Sequence, residues 1–276
     1  MSIAQPIATP RLSMEPHLVA FIDILGFGHE VKAARDSEAL ARIYGKVRRI
    51  QEAFQKPSAA ERPESQSEVN RRYGKRVIAL SDAVLVAINF QGGDQHLLHA
   101  ADLVGWAIYE LAQAQYDCVL SHGIFLRGGI GVGPFFFEND ILVSPALVDA
   151  HTLESKYAVA PVIILTQTTV EWIKTTAGPD VSVPHWQNVF FRPLPTTVDG
   201  ELLFALDYLR IALTDDEPHI IFGAHREKIA AAYSATTDEG VRGKYQTLMR
   251  YHNETIEGLP TGELFRRYLF DLTLCA

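Results

Sequence analysis

The chain predicts an α+β fold: a mainly antiparallel sheet of the ferredoxin-like or palm type, with helices on one side. Three observations carry that prediction. Between residues 17 and 165 the apolar pattern alternates between short β-rich runs and longer stretches of helical period. Two of the short runs meet at a two-residue Ser-Asp turn, which is a hairpin rather than a crossover. The composition is that of an ordinary globular protein, with 47% hydrophobic and 21% charged residues over 276 positions.

Each element follows in order. Residues 1–16 carry prolines and no periodicity, so they read as a loose N-terminal arm. Leu18 to Ile22 form a continuous apolar run, as expected of a central strand covered on both faces, ending at Asp23 with Gly26 free to turn. From Glu30 to Phe54, Val31, Leu40, Ile43, Val47 and Ile50 recur at helical spacing, with a break expected near Asp36-Ser37. Residues 56–72 are polar and proline-containing, an exposed connection.

RVIALSDAVLVAI then predicts a hairpin with Asp82 at its turn. Residues 96–115 place Leu97, Ala101, Val104, Ile108 and Leu111 on one helical stripe. GIFLRGGIGVGPFFF predicts one long strand, followed by a hairpin partner, a helix at about 145–155 and a buried strand, PVIILT. Residues 166–276 form an elaboration on the same sheet: a helix at 167–177, a proline-punctuated stretch, a strand at 201–207, and helices at about 218–235 and 239–257.

A net charge of −8 argues against the clustered basic surface of a nucleic-acid binder. A small anionic substrate stays compatible, because a bound divalent metal reverses the local field. Cys118 and Cys275 cannot build a disulfide framework or a cysteine-rich zinc site, and read as buried thiols. The N-terminal residues lack the apolar stretch of a signal peptide, and nothing later offers roughly 20 apolar residues for a membrane span. The expectation is a soluble, cytoplasmic protein.

The chemistry-bearing feature is a pair of carboxylates, each at the end or turn of an apolar strand: Asp23 in FID and Asp82 in SDA. A carboxylate beside so much apolar sequence needs a cation or several donors. If the two strands are neighbours, both side chains reach one metal cluster. Two divalent ions about 4 Å apart can activate a hydroxyl and neutralise a leaving pyrophosphate. Hard oxygen ligands favour magnesium or manganese, and the main-chain carbonyl of Ile24 is placed to complete the set. Taken singly, Asp23 is as well explained as a helix cap and Asp82 as a turn former.

That arrangement resembles the class III nucleotidyl cyclases. Their first strand, F-x-D-I-x-G-F, is matched by Phe21, Asp23, Ile24, Gly26 and Phe27; their hairpin aspartate by Ser81-Asp82. Their R-x-G-I-x-x-G strand is matched by Arg127, Gly129, Ile130 and Gly133, and their late helix by Ala146, Ala150, Leu153 and Glu154. Departures accompany the matches. The position that reads a purine is Ala79, and those of the usual transition-state asparagine and arginine are Val148 and Thr152.

The pattern is closer still to the bacterial pyrimidine cyclases of the Pycsar anti-phage systems, through Val19 to Phe27, Ser81-Asp82, Arg127 to Ile130 and Pro145 to Leu147. That resemblance implies UTP or CTP as substrate, with UTP favoured, and manganese-dependent closure to a 3′,5′-cyclic monophosphate. It also implies a homodimer and an effector that senses the cyclic product. Phe21, Tyr44 and Arg127 are the candidate substrate contacts, Tyr44 as a bulky wall narrowing the base pocket and Arg127 as a fork for phosphate oxygens. The rival expectation is a cyclase-like module that binds a nucleotide without turning it over.

Weaker signals have plain readings. Gly129, Gly131 and Gly133 alternate on one strand, which implies close approach of a ligand or, preferably, of a second subunit with active sites at the seam. Phe135 to Phe137 read as core or dimer interface. His96 and His99 read as a solvated helix face, and Ser121-His122 lack the nucleophile elbow of a hydrolase. Arg71, Arg72, Lys75 and Arg76 read as exposed loop charge.

Overall fold

A computed structural model of the chain describes residues 15–55, 74–90, 100–177, 191–214, 216–259 and 262–275. Strand β1 (Pro16–Ile24) lies inside a seven-stranded sheet, between β3 (Ala83–Asn89) and β4 (Leu126–Pro134), both antiparallel to it. Outside β3 runs β2 (Lys75–Leu80). Beyond β4 come β7 (Ile163–Thr166), β9 (Glu201–Leu206) and β8 (Phe191–Val198), and β4–β7 is the parallel pair. This is the α+β, mainly antiparallel architecture expected.

Side chains alternate along β1 because a strand has a period of two. Leu18, Ala20, Ile22 and Ile24 enter the main core, with Ile50 and Phe54 of α2 (Ser37–Gln55) and Val104, Ile108 and Leu111 of α3 (Ala100–His122). Val19 points the other way, into a smaller cluster with Leu85, Ala87, Phe135 and Ala146. The expected break in the first helical stretch separates α1 (Phe27–Ala33) from α2. Ala34 is extended, and the Asp36 carboxylate accepts the Ala39 amide at 2.7 Å to open the new helix.

The β2–β3 hairpin turns on Ser81-Asp82 as expected, with Leu80 paired to Ala83 and Ser81 in the left-handed region at φ 56°. The long strand expected through Phe137 ends at Pro134. Phe136–Glu138 (β5) pairs instead with Ile141–Val143 (β6) in a separate two-stranded sheet.

Helix α4 (Pro145–Tyr157) is capped by Ser144, whose hydroxyl accepts the Leu147 amide at 3.1 Å. It lies on the face opposite α2 and α3, directly on β4, so the helices cover both faces of the sheet rather than the one side expected. A Cβ built on Gly129 would stand 2.1 Å from the Ala150 carbonyl oxygen, and one on Gly131 would stand 2.4 Å from that of Ala146. The alternating glycines therefore make room for this chain's own helix, which corrects their reading as a subunit seam.

Beyond residue 166, α5 (Gln167–Ala177) is followed by β8 and β9, which continue the same sheet. The proline-punctuated stretch contains β8 itself, an edge strand that tolerates Pro193 and Pro195 because its outer side needs no amide donor. A 3₁₀ segment (Tyr208–Thr214) leads to α6 (Pro218–Ala235) and α7 (Glu239–Glu257), whose Ile221, Phe222, Leu248 and Met249 join the main core.

These two helices bury a chain of polar groups. The Tyr268 carbonyl can only accept, so His252 carries its proton on Nε2, 3.0 Å away. His252 Nδ1 must then accept from His225 Nδ1 at 2.8 Å, and His225 Nε2 accepts the Tyr208 hydroxyl at 2.8 Å. One carbonyl thus sets both tautomers, and both rings stay neutral.

Candidate active site

Asp23 is the last position of β1 paired on both sides, with Ala83 of β3 on one side and Arg127 of β4 on the other. Asp82 directly precedes Ala83, and its main-chain carbonyl accepts the Ile24 amide at 3.3 Å. The two-residue turn therefore delivers Asp82 to the same end of the sheet as Asp23. Burial pushes the Asp23 carboxyl above the usual carboxylate range, against the pull of Arg127, and the negative charge of Asp82 pushes it further. The pair foreseen from the sequence is brought together.

Arg127 does not stand free for a substrate. Its Nε donates to Asp23 Oδ2 at 3.0 Å, and its Nη2 lies 3.0 Å from the same oxygen. The same Nη2 lies 2.7 Å from Glu154 Oε1 on α4. Glu154 is buried at 4% exposure, and that oxygen has no hydrogen bond: the contact is close but the N–H groups aim elsewhere. Burial raises the Glu154 pKa, opposed by Arg127 and reinforced by Asp23. Two carboxylates thus share one guanidinium.

Glu154 was not among the site residues expected. Its signal was present, since Ala146, Ala150, Leu153 and Glu154 make one helical stripe, so the acid sits on the face that α4 buries. Gly129 and Gly131 let the helix settle close enough for that acid to reach β4.

The other expected residues scatter. Phe21 points to the Asp23 side of the sheet and packs edge-on against His151 at 5.0 Å. Tyr44 is 67% exposed on α2, a solvated ring rather than a wall packed on the carboxylates. Val148 is exposed, and the Thr152 hydroxyl is bonded to the Val148 carbonyl at 2.8 Å. Thr152, Tyr157, Thr166, Thr168, Asp199 and Glu201 line a cleft of about 320 Å³ on the β7–β9 flank of α4, and Asp23, Asp82 and Arg127 are not part of its lining.

Lys75 is not exposed loop charge. It is buried and paired with Glu110 of α3 at 2.8 Å, while Arg76 donates to the Phe137 carbonyl at 3.0 Å. Cys118 is buried, as expected. Ser121 and His122 lie exposed at the end of α3, whereas Arg71, Arg72, His96 and His99 fall outside the described residues.

Among the described residues no group of three or more His, Cys, Asp or Glu side chains is set to hold a metal ion. What exists is a pair of aspartates at one end of the sheet, Asp23 on β1 and Asp82 in the turn before β3. The Asp23 carboxyl is held above the usual range chiefly by burial and, to a lesser degree, by the charge of Asp82, despite Arg127. A hard divalent cation fits that donor chemistry. No helix among the described residues is long and apolar enough to cross a membrane.

No protein-family model matches the sequence, and no curated protein is similar to it. Among solved structures the chain is similar to a class III adenylyl cyclase-like ATP-binding protein from Pseudomonas aeruginosa, at 11% identity and a TM-score of 0.36. The alignment covers 86% of this chain and 44% of that one, so the chain spans less than half the length of that structure.

Proposed function

We propose that this protein is a nucleotide cyclase of the class III kind, closing a pyrimidine nucleoside triphosphate, UTP ahead of CTP, into its 3′,5′-cyclic monophosphate with release of pyrophosphate. One observation supports the reading above the others: Asp23 and Asp82, far apart in sequence, meet at the same end of adjoining strands. Asp23, Asp82 and the Ile24 carbonyl would hold magnesium or manganese. Such ions supply acidity to the ribose 3′-hydroxyl and countercharge to the leaving pyrophosphate. Asp23 and Asp82 orient that charge, and Arg127, once released from Asp23, offers its fork to phosphate oxygens. The product would act through a separate effector.

The test is incubation of the purified chain with UTP, CTP, ATP and GTP in manganese, with products identified by mass. Asp23→Ala and Asp82→Ala abolish cyclic product while the circular dichroism spectrum is kept. Turnover by either variant refutes the metal assignment.

A second reading, a module that binds nucleotide without turnover, is favoured by the fact that Asp23 already holds Arg127 as its counter-ion. That reading requires that no triphosphate be consumed in the same assay.

A further inference from the structure

The guanidinium of Arg127 donates to one oxygen of Asp23 from Nε at 3.0 Å, and its Nη2 stands 3.0 Å from the same oxygen as an ion-pair contact. The next carboxylate, Glu154, has an oxygen 2.7 Å from Nη2, yet no hydrogen bond reaches it. An ionised oxygen this deeply buried is costly without a bonded partner. Its position beside the guanidinium makes it a second seat, one that a rotation of Arg127 would fill with little translation.

We infer that Arg127 is a resident stand-in for the divalent cation on Asp23, and that Glu154 is the positioning residue that receives the guanidinium when the ion binds. The inference rests on the reading that Asp23 and Asp82 take a divalent ion. Without the ion, Arg127 partly neutralises Asp23. With the ion, two positive charges compete for one carboxylate, and the guanidinium moves to Glu154. Neither the acid on β1 nor the acid on α4 is left without a cation at the end of the exchange. Without Glu154 the displaced guanidinium has no bonded destination, and it competes with the ion for Asp23.

The probe is manganese alone, titrated into the full chain and followed by the loss of the free-ion electron paramagnetic resonance signal. Glu154→Gln weakens manganese binding about tenfold or more, in the range of other residues that support a metal ligand indirectly. Arg127→Met removes the competitor and tightens binding severalfold. In the Arg127→Met background the Glu154→Gln penalty disappears, because Glu154 acts only through the guanidinium. Arg127→Gln removes the charge while keeping polar donors, and gives the same two comparisons should the methionine variant fail to fold. A purely structural role for Glu154 would lower the melting temperature and leave the manganese affinity where it was.

An equal Glu154→Gln penalty in both backgrounds overturns the inference, as does a failure of both Arg127 variants to bind manganese more tightly. Cyclic product with unaltered affinities refutes the exchange alone. An intact exchange with no product from any triphosphate refutes the cyclase reading alone. No manganese bound by any variant refutes both.

Discussion

His225 and His252 meet Nδ1 to Nδ1 at 2.8 Å in the interior, one ring donating to the other. Burial holds the His225 pKa well below the ordinary imidazole value, and His252 is brought down to about 4, chiefly by burial with Arg226 adding to it. An imidazole depressed in the fold is protonated first in the unfolded chain. Between the two values the unfolded state binds more protons, so stability falls as pH falls. The contribution is full above about pH 6.5 and is lost on descent towards about pH 4, with His252 alone worth up to about 3 kcal/mol. Asp23 and Glu154, whose pKa values are raised, act with the opposite sign. The comparison is therefore urea unfolding of the natural chain against His252→Gln, which keeps a donor for Tyr268 and does not titrate. A difference that stays constant between pH 7.5 and 4.5 would show that the His252 ring is not held neutral.

Three glycines on β4 should answer differently to one methyl group. Gly129→Ala and Gly131→Ala drive a Cβ into α4 main-chain oxygens, and each should cost about 2–3 kcal/mol or more. Gly133→Ala meets only Ala146, its methyl at 3.6 Å and its amide nitrogen at 3.8 Å, both ordinary contacts, and should stay within about 0.5 kcal/mol. Chemical denaturation of the three variants ranks them. Equal losses would mean that α4 does not sit on β4 as described.

Lys75 and Glu110 form a largely buried pair at 2.8 Å. Lys75→Met strands a carboxylate and should cost about 3 kcal/mol, most of it regained when Glu110→Leu is added. A double variant as unstable as the single one would place the loss in packing rather than in charge.

Asp82 raises the Asp23 pKa through its charge. Asp82→Asn should therefore lower the Asp23 pKa, read from the carboxyl carbon shift in a nuclear magnetic resonance titration without metal. An unmoved Asp23 titration would separate the two side chains and remove the basis of the site.

What could be read from the sequence was whatever depends on local pattern. The apolar run ending at Asp23, the Ser81-Asp82 turn, the break at Asp36-Ser37 and the helices over 218–235 and 239–257 each carry their cause within a few residues. What escaped depends on the neighbour that covers a residue. Alternating glycines announce that something comes close, but α4 is named only by the fold. Glu154 lies on a legible stripe, yet Arg127, its partner, is 27 positions away on another element. The same separation hides His225 from His252, which sit on different helices. Strand β8 was obscured by its own prolines, which suit an edge and not an interior.

Those prolines have a consequence for how copies of the sheet could meet. At one rim Pro193 and Pro195 lack the amides that an added strand requires, while the opposite rim ends in β2, which carries no proline. Growth by strand addition needs two competent rims, and this sheet has one among the described residues. Edge-to-edge joining would stop at a closed, two-fold pair through β2, with the Ser81-Asp82 turn beside the junction, and could not run on into a fibre.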